Sequence, residues 1–202
     1  MLFLRRIPLL VWFVIPTIIL VITGVWFFTK GDSSAMKEGS ELEVEKVDKP
    51  VEGAVEYKVE SRTHIPTGTK VTDYNSNPPN SGDHWGAPAK NGIYDNALPD
   101  EELVHNLEHG YIWISYRPAA QASESSPSAD LKPGISVEDK KSLEELVNKD
   151  DWKMVLAPRD TNDSVIALAA WGRVLKMDSL NLDKVKEFIR VYRGRGPEKT
   201  PN

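Results

Sequence analysis

The chain has no cysteine. That excludes disulfides, thiolate zinc sites, iron–sulfur clusters and cysteine nucleophiles, and it frees the fold from any dependence on a redox compartment. Positive charge is in deficit: 25 Lys and Arg stand against 30 Asp and Glu, for a net charge of −5. Phosphate repels such a surface, so nucleic acid is not an expected partner. The sequence contains no P-loop, no dinucleotide-binding glycine fingerprint and no G-x-S-x-G nucleophile elbow. It shows no internal repeat. Histidine is scarce, with four in 202 residues. What is present is a globular composition: 40% hydrophobic residues with six Trp, six Tyr and five Phe, which rules out wholesale disorder and coiled-coil architecture.

One long apolar run stands at the N-terminus. Residues 1–6 end in Arg5 and Arg6, and residues 7–28 follow without a charge. Those 22 residues match the roughly 20 that a membrane-spanning helix needs. A cleaved signal peptide has a shorter apolar region and a small-residue cut site, whereas this run ends in Trp26, Phe27 and Phe28, an interfacial aromatic border. The expectation is one uncleaved transmembrane helix over 7–28, embedded in the lipid bilayer, behind a cytoplasmic stub over 1–6. Positive charge on the N-terminal side then places the remainder outside the cytoplasm.

Residues 31–53 hold seven acids, three Lys and no aromatic residue, and read as a flexible acidic stalk. A globular domain is expected over 54–197, with a mobile insertion over 118–133 and a frayed polar tail over 198–202. Within it, Val55, Tyr57 and Val59 alternate with charged residues as in a half-buried strand. Pro99 and three acids open a helix from Asp100 to His109, with Gly110 suited to its left-handed end. Tyr111–Tyr116 is apolar on both faces and predicts a central strand. Ser136 starts a capping-box-like helix to about Asn148, with Val137, Leu143, Leu146 and Val147 on its apolar stripe. Strands are expected at Trp152–Ala157 and, singly or as a pair, within Val165–Met177. A last helix carries Leu182, Val185, Phe188, Ile189 and Tyr192 and ends at Gly194. The fold class is therefore α+β (or α/β): a single extracytoplasmic domain of one sheet and about three helices. Trp85, Trp113, Trp152 and Trp171 are expected in the core rather than on a ligand platform.

All four histidines, His64, His84, His105 and His109, fall within one segment. His105 and His109 are four residues apart on the predicted helix, so their rings leave one face. Neutral imidazole is a common metal ligand, and a nitrogen-rich set without thiolate suits zinc, copper or nickel rather than calcium or magnesium. His84 and His64 are the candidates to complete the shell, with Glu108, Glu101 and Asp83 as further ligands or as acceptors that fix the imidazole tautomers. Met154 and Met177 are soft ligands in principle but read as core fillers. His105-Asn106-Leu107-Glu108-His109 also fits H-x-x-E-H, in which two His hold zinc and the Glu activates water; Glu187 is its candidate distal ligand. The turn-rich segment from Thr67 to Pro88 is long for a compact domain. Its Asn75, Ser76, Asn77, Ser81 and Gly82 could form a ligand loop of backbone N–H groups.

Two blocks carry a resemblance: Tyr74-Asn75-Ser76-Asn77-Pro78-Pro79-x-Ser81-Gly82-x-His84 and Leu103-Val104-His105-Asn106-Leu107-Glu108-His109-Gly110. With Ala169-Ala170-Trp171-Gly172-Arg173 and Phe188-Ile189-x-x-Tyr192-Arg193-Gly194, they resemble the bacterial family catalogued as domain of unknown function 3105. The resemblance runs from about His64 to Pro197. It implies an extracytoplasmic domain, often with one N-terminal span, and no established activity; the matched positions include His84, His105, Glu108, His109 and His64. The reading that follows is an anchored domain binding one copper or zinc ion through the clustered histidines. Two alternatives stand beside it: a metal-dependent hydrolase with Glu108 as general base, and a metal-free module that meets a cell-envelope protein.

Overall fold

A computed structural model describes residues 48–119 and 133–200. The expected membrane helix, most of the stalk and nearly all of the 118–133 insertion lie outside the described residues. Among the described residues, no helix is long and apolar enough to cross a membrane.

Three five-residue strands form the centre: β5 (Ile112–Tyr116), β6 (Met154–Pro158) and β7 (Ile166–Ala170), each buried at every position. β5 runs parallel to β6, with Ile112 opposite Met154, and antiparallel to β7, with Trp113 opposite Ala169. β8 (Arg173–Met177) folds back on β7 through a turn in which Gly172 takes φ 71°, so Val165–Met177 is a strand pair. Short edge strands close the sheet, β1 (Ala54–Glu56) against β8 and β4 (Gly92–Ile93) against β6. The six strands lie in the order β1-β8-β7-β5-β6-β4. A separate parallel pair, β2 (His64–Ile65) and β3 (His84–Trp85), is not foreseen by any hydrophobic pattern.

Alternation along the central strands sends side chains to two cores. Ile112, Ile114, Met154, Leu156, Ile166 and Leu168 face α2 (Val137–Lys149) and α3 (Leu182–Tyr192), which contribute Leu143, Val147, Val185 and Phe188. Trp113, Val155, Ala157 and Ala169 face α1 (Asp100–Glu108), which contributes Leu103, Val104 and Leu107. One sheet between three helices is the architecture the sequence predicts. The Ser136 hydroxyl caps α2 by accepting from the Asp139 N–H at 3.0 Å, and Asn181 does the same for α3 at Lys184.

Three local expectations are corrected. The strand predicted over Val55–Val59 ends at Glu56, and Val55 is 52% exposed; β1 pairs only with β8, and beyond Tyr57 the chain leaves the sheet so that Val59 can pack on the α1 side. Val137 is 79% exposed because it opens α2 ahead of the buried stripe. Trp152 is 42% exposed rather than in the core. It precedes β6 and lies against the Arg193 guanidinium, 5.1 Å from the ring centroid.

Candidate functional site

α1 is buried on two sides. Leu103 and Leu107 face the sheet, while Glu101, His105 and Glu108 form a stripe at i, i+4, i+7 on the other side, all nearly inaccessible to solvent. The β2–β3 pair and the turn-rich loop cover that stripe. Parallel pairing sets His64 opposite His84, and both imidazoles then point at α1.

Main-chain carbonyls fix two of the rings. His84 Nδ1 donates to the Gly82 carbonyl at 2.7 Å, and His105 Nδ1 donates to the Trp85 carbonyl at 2.5 Å. A carbonyl only accepts, so each Nδ1 carries the proton and each Nε2 offers a lone pair in the neutral ring. Glu108 Oε2 lies 3.0 Å from His84 Nε2 and 3.4 Å from His64 Nε2. Its other oxygen accepts from Arg62 Nε at 2.6 Å. His105 Nε2 is 3.0 Å from His109 Nε2, which is in turn 3.3 Å from Glu198 Oε2. The His64 and His105 rings stack nearly parallel, 4.9 Å apart.

Charge in this cluster is strongly biased. Burial pushes the Glu108 carboxyl up, but hydrogen bonds from His84 and Arg62 and their charges outweigh it and hold the pKa to about 2. Burial holds the His105 imidazole below its usual value against the opposing Trp85 carbonyl, with His109, His84 and His64 adding to the lowering. An ionised carboxylate thus shares the cluster with His105, an imidazole whose protonation is disfavoured. Ligand atoms of His64, His84, His105 and Glu108 all lie within 4.8 Å of one another, and so do those of His105, Glu108, His109 and Glu198. Such a His/Glu cluster can hold a metal ion.

The other sequence candidates lie elsewhere. Glu101 accepts from the Val71 N–H at 2.9 Å and from Lys70 Nζ at 3.1 Å, and meets no imidazole. Asp83 accepts from the Ser61 hydroxyl through its side chain and from Tyr74 through its carbonyl. Carbonyl groups, rather than these acids, orient the rings. In the loop, Asn75 donates to the Lys58 carbonyl, Ser76 to the Pro78 carbonyl and Asn77 to the Thr161 carbonyl, while Ser81 is buried. The Gly82 and His84 N–H groups donate to Ser61 and Thr63. These bonds secure the loop to the domain. Met154 and Met177 pack in the α2–α3 core, and Glu187 sits on α3 near Arg190.

Two neighbours of the cluster escape sequence reasoning. Arg62 has no motif around it; only its place two residues before His64 hints at it. Glu198 falls in the segment expected to fray. Instead its N–H donates to the Glu108 carbonyl at 3.1 Å. A signal for this docking is Gly196, where a Cβ would overlap the Glu108 carbonyl oxygen and the Gly110 nitrogen. At Gly110, with φ 79°, an added Cβ would lie 2.9 Å from the Gly194 backbone.

No curated protein and no solved structure matches the chain. The family model described as "Protein of unknown function (DUF3105)" matches residues 64–202, from the first cluster histidine to the end of the chain, and the protein belongs to that family.

Proposed function

We propose that this domain binds a transition-metal ion, zinc or copper, through His64, His84, His105 and Glu108. The carrying observation is the pair of carbonyl-anchored rings. His84 and His105 each commit Nδ1 to the main chain, the arrangement that fixes metal-bound histidines. In the neutral ring the His84 Nε2 lone pair faces a carboxylate oxygen at 3.0 Å, and a metal ion can take the place that the proton of the imidazolium form holds between them. Binding, delivery or sensing fits better than hydrolysis with Glu108 as base. A general base needs a free carboxylate oxygen within reach of the water it activates, and both Glu108 oxygens are engaged, one by Arg62 Nε at 2.6 Å and the other beside His84 Nε2 at 3.0 Å.

The test is metal content of the full chain, purified without a histidine tag and loaded with Zn²⁺ or Cu²⁺. Wild type should retain metal, and the His84→Ala/His105→Ala double variant should lose it. Glu108→Gln should bind at least about 10-fold more weakly, as for a lost ligand-shell partner. A hydrolase predicts instead that Glu108→Gln keeps its metal and loses only turnover. Wild type free of metal after loading would make the histidines structural and turn attention to a cell-envelope partner. We also propose that residues 7–28 anchor the chain with the domain outside the cytoplasm, supported by the flanking Arg5 and Arg6. Protease added to intact cells should then remove the domain; complete protection would refute the orientation.

A further inference from the structure

We infer that the cluster is a two-ion centre, with a second position formed by His105, His109 and Glu198. This rests on the metal-binding reading above and extends it. His105 Nδ1 is engaged by the Trp85 carbonyl, so the ring has one lone pair, at Nε2, and serves one ion at a time. His105 belongs to both four-residue groups that can hold an ion. The short contacts decide how the ligands divide. In one triplet Glu108 Oε2 is 3.0 and 3.4 Å from the Nε2 atoms of His84 and His64. In the other, His109 Nε2 is 3.0 Å from His105 Nε2 and 3.3 Å from Glu198 Oε2. Ligands bonded at about 2.0–2.1 Å to one ion stand about 3.0–3.4 Å apart, so these separations match the edges of two coordination polyhedra.

Each triplet is two imidazoles and one carboxylate, and every ligand atom is used once. Three protein ligands leave at least one position open on each ion. Each triplet sets one outer ligand on inner ones: His64, 51% exposed, beside the buried His84 and Glu108 in the first, and Glu198, 45% exposed, beside His105 and His109 in the second. Two dications against two carboxylates leave positive charge over, and Arg62 adds to it, so an oxyanion or hydroxide is the class of co-ligand that the open positions would take.

The experiment is metal stoichiometry of the full chain after loading with Zn²⁺ and gel filtration, for wild type, Glu198→Gln and His109→Ala. Two ions per chain in wild type and one in each variant is the expected result. Glu198 is half exposed, so Glu198→Gln should fold normally. Loading with Cu²⁺ gives a second readout. Two neighbouring spins produce a half-field paramagnetic resonance signal in wild type, which should vanish in Glu198→Gln. One ion in wild type overturns the second position and leaves the metal-binding reading intact. Two ions retained in both variants overturn the assignment to His109 and Glu198. No ion at all overturns both readings.

Discussion

Glu101 shows how a carboxylate in the same stripe as His105 and Glu108 serves the fold instead of the site. Its two oxygens accept from the Val71 N–H and from Lys70. Burial pushes this carboxyl up, but those bonds and its own backbone N–H outweigh burial and leave its pKa lowered from 4.5. A carboxyl lowered in the folded state stabilises the fold above its unfolded pKa, and the contribution is lost as pH falls through the folded value. Glu101→Gln keeps the shape and removes the titration. Urea denaturation of the variant should show lower stability than wild type at pH 7, with the gap closing below pH 4.5. A gap that stays constant down to pH 3 would show that the ionised form contributes nothing beyond its hydrogen bonds.

The C-terminal segment after α3 acts as an element in its own right, because it crosses the end of α1 backbone to backbone. The Gly194 N–H donates to the Gly110 carbonyl at 2.8 Å, and Glu198 follows onto the Glu108 carbonyl at 3.1 Å. Gly196→Ala drives a methyl group into that crossing. It should cost about 1–3 kcal/mol, as overpacking does, and should withdraw Glu198 from His109. The expected readout is a lowered melting temperature together with loss of the ion at His105, His109 and Glu198 and retention of the one at His64, His84 and Glu108; unchanged stability would mean that the crossing opens freely enough to admit the methyl group. The elements with strong periodicity were legible: α3 from Val185, Phe188 and Ile189, and β5 from its unbroken apolar run. The β2–β3 pair was not, because two-residue strands have no period and His64 and His84 are set by backbone pairing. Residue chemistry alone found the four histidines and Glu108. Arg62 and Glu198 were missed because they arrive from segments whose docking depends on tertiary close approach, as at Gly196.

On the scale of the whole molecule, the proposed ligands come from β2, β3 and α1, and the second position adds Glu198 from the C-terminal segment. The unfolded chain spreads His64 and Glu108 over 45 residues, so it holds no preformed site, and an ion that binds only the folded state stabilises it by mass action. At about 100 times its dissociation constant, a metal adds about 2.7 kcal/mol. For a domain of this size each kcal/mol raises the melting temperature by about 2–4 °C. Chelator-treated full chain should therefore melt about 5–11 °C below the zinc-loaded chain, and His84→Ala should abolish most of that difference. The α2–α3 core lies on the far face of the sheet and contains none of the ligands. Removing the metal should thus leave far-ultraviolet circular dichroism intact below the transition, because that core holds the sheet without it. If loaded and stripped chains melted together while metal remained bound, the ion would be gripping the unfolded chain as tightly as the folded one, and the histidines could not form the prebuilt site their carbonyl anchors describe.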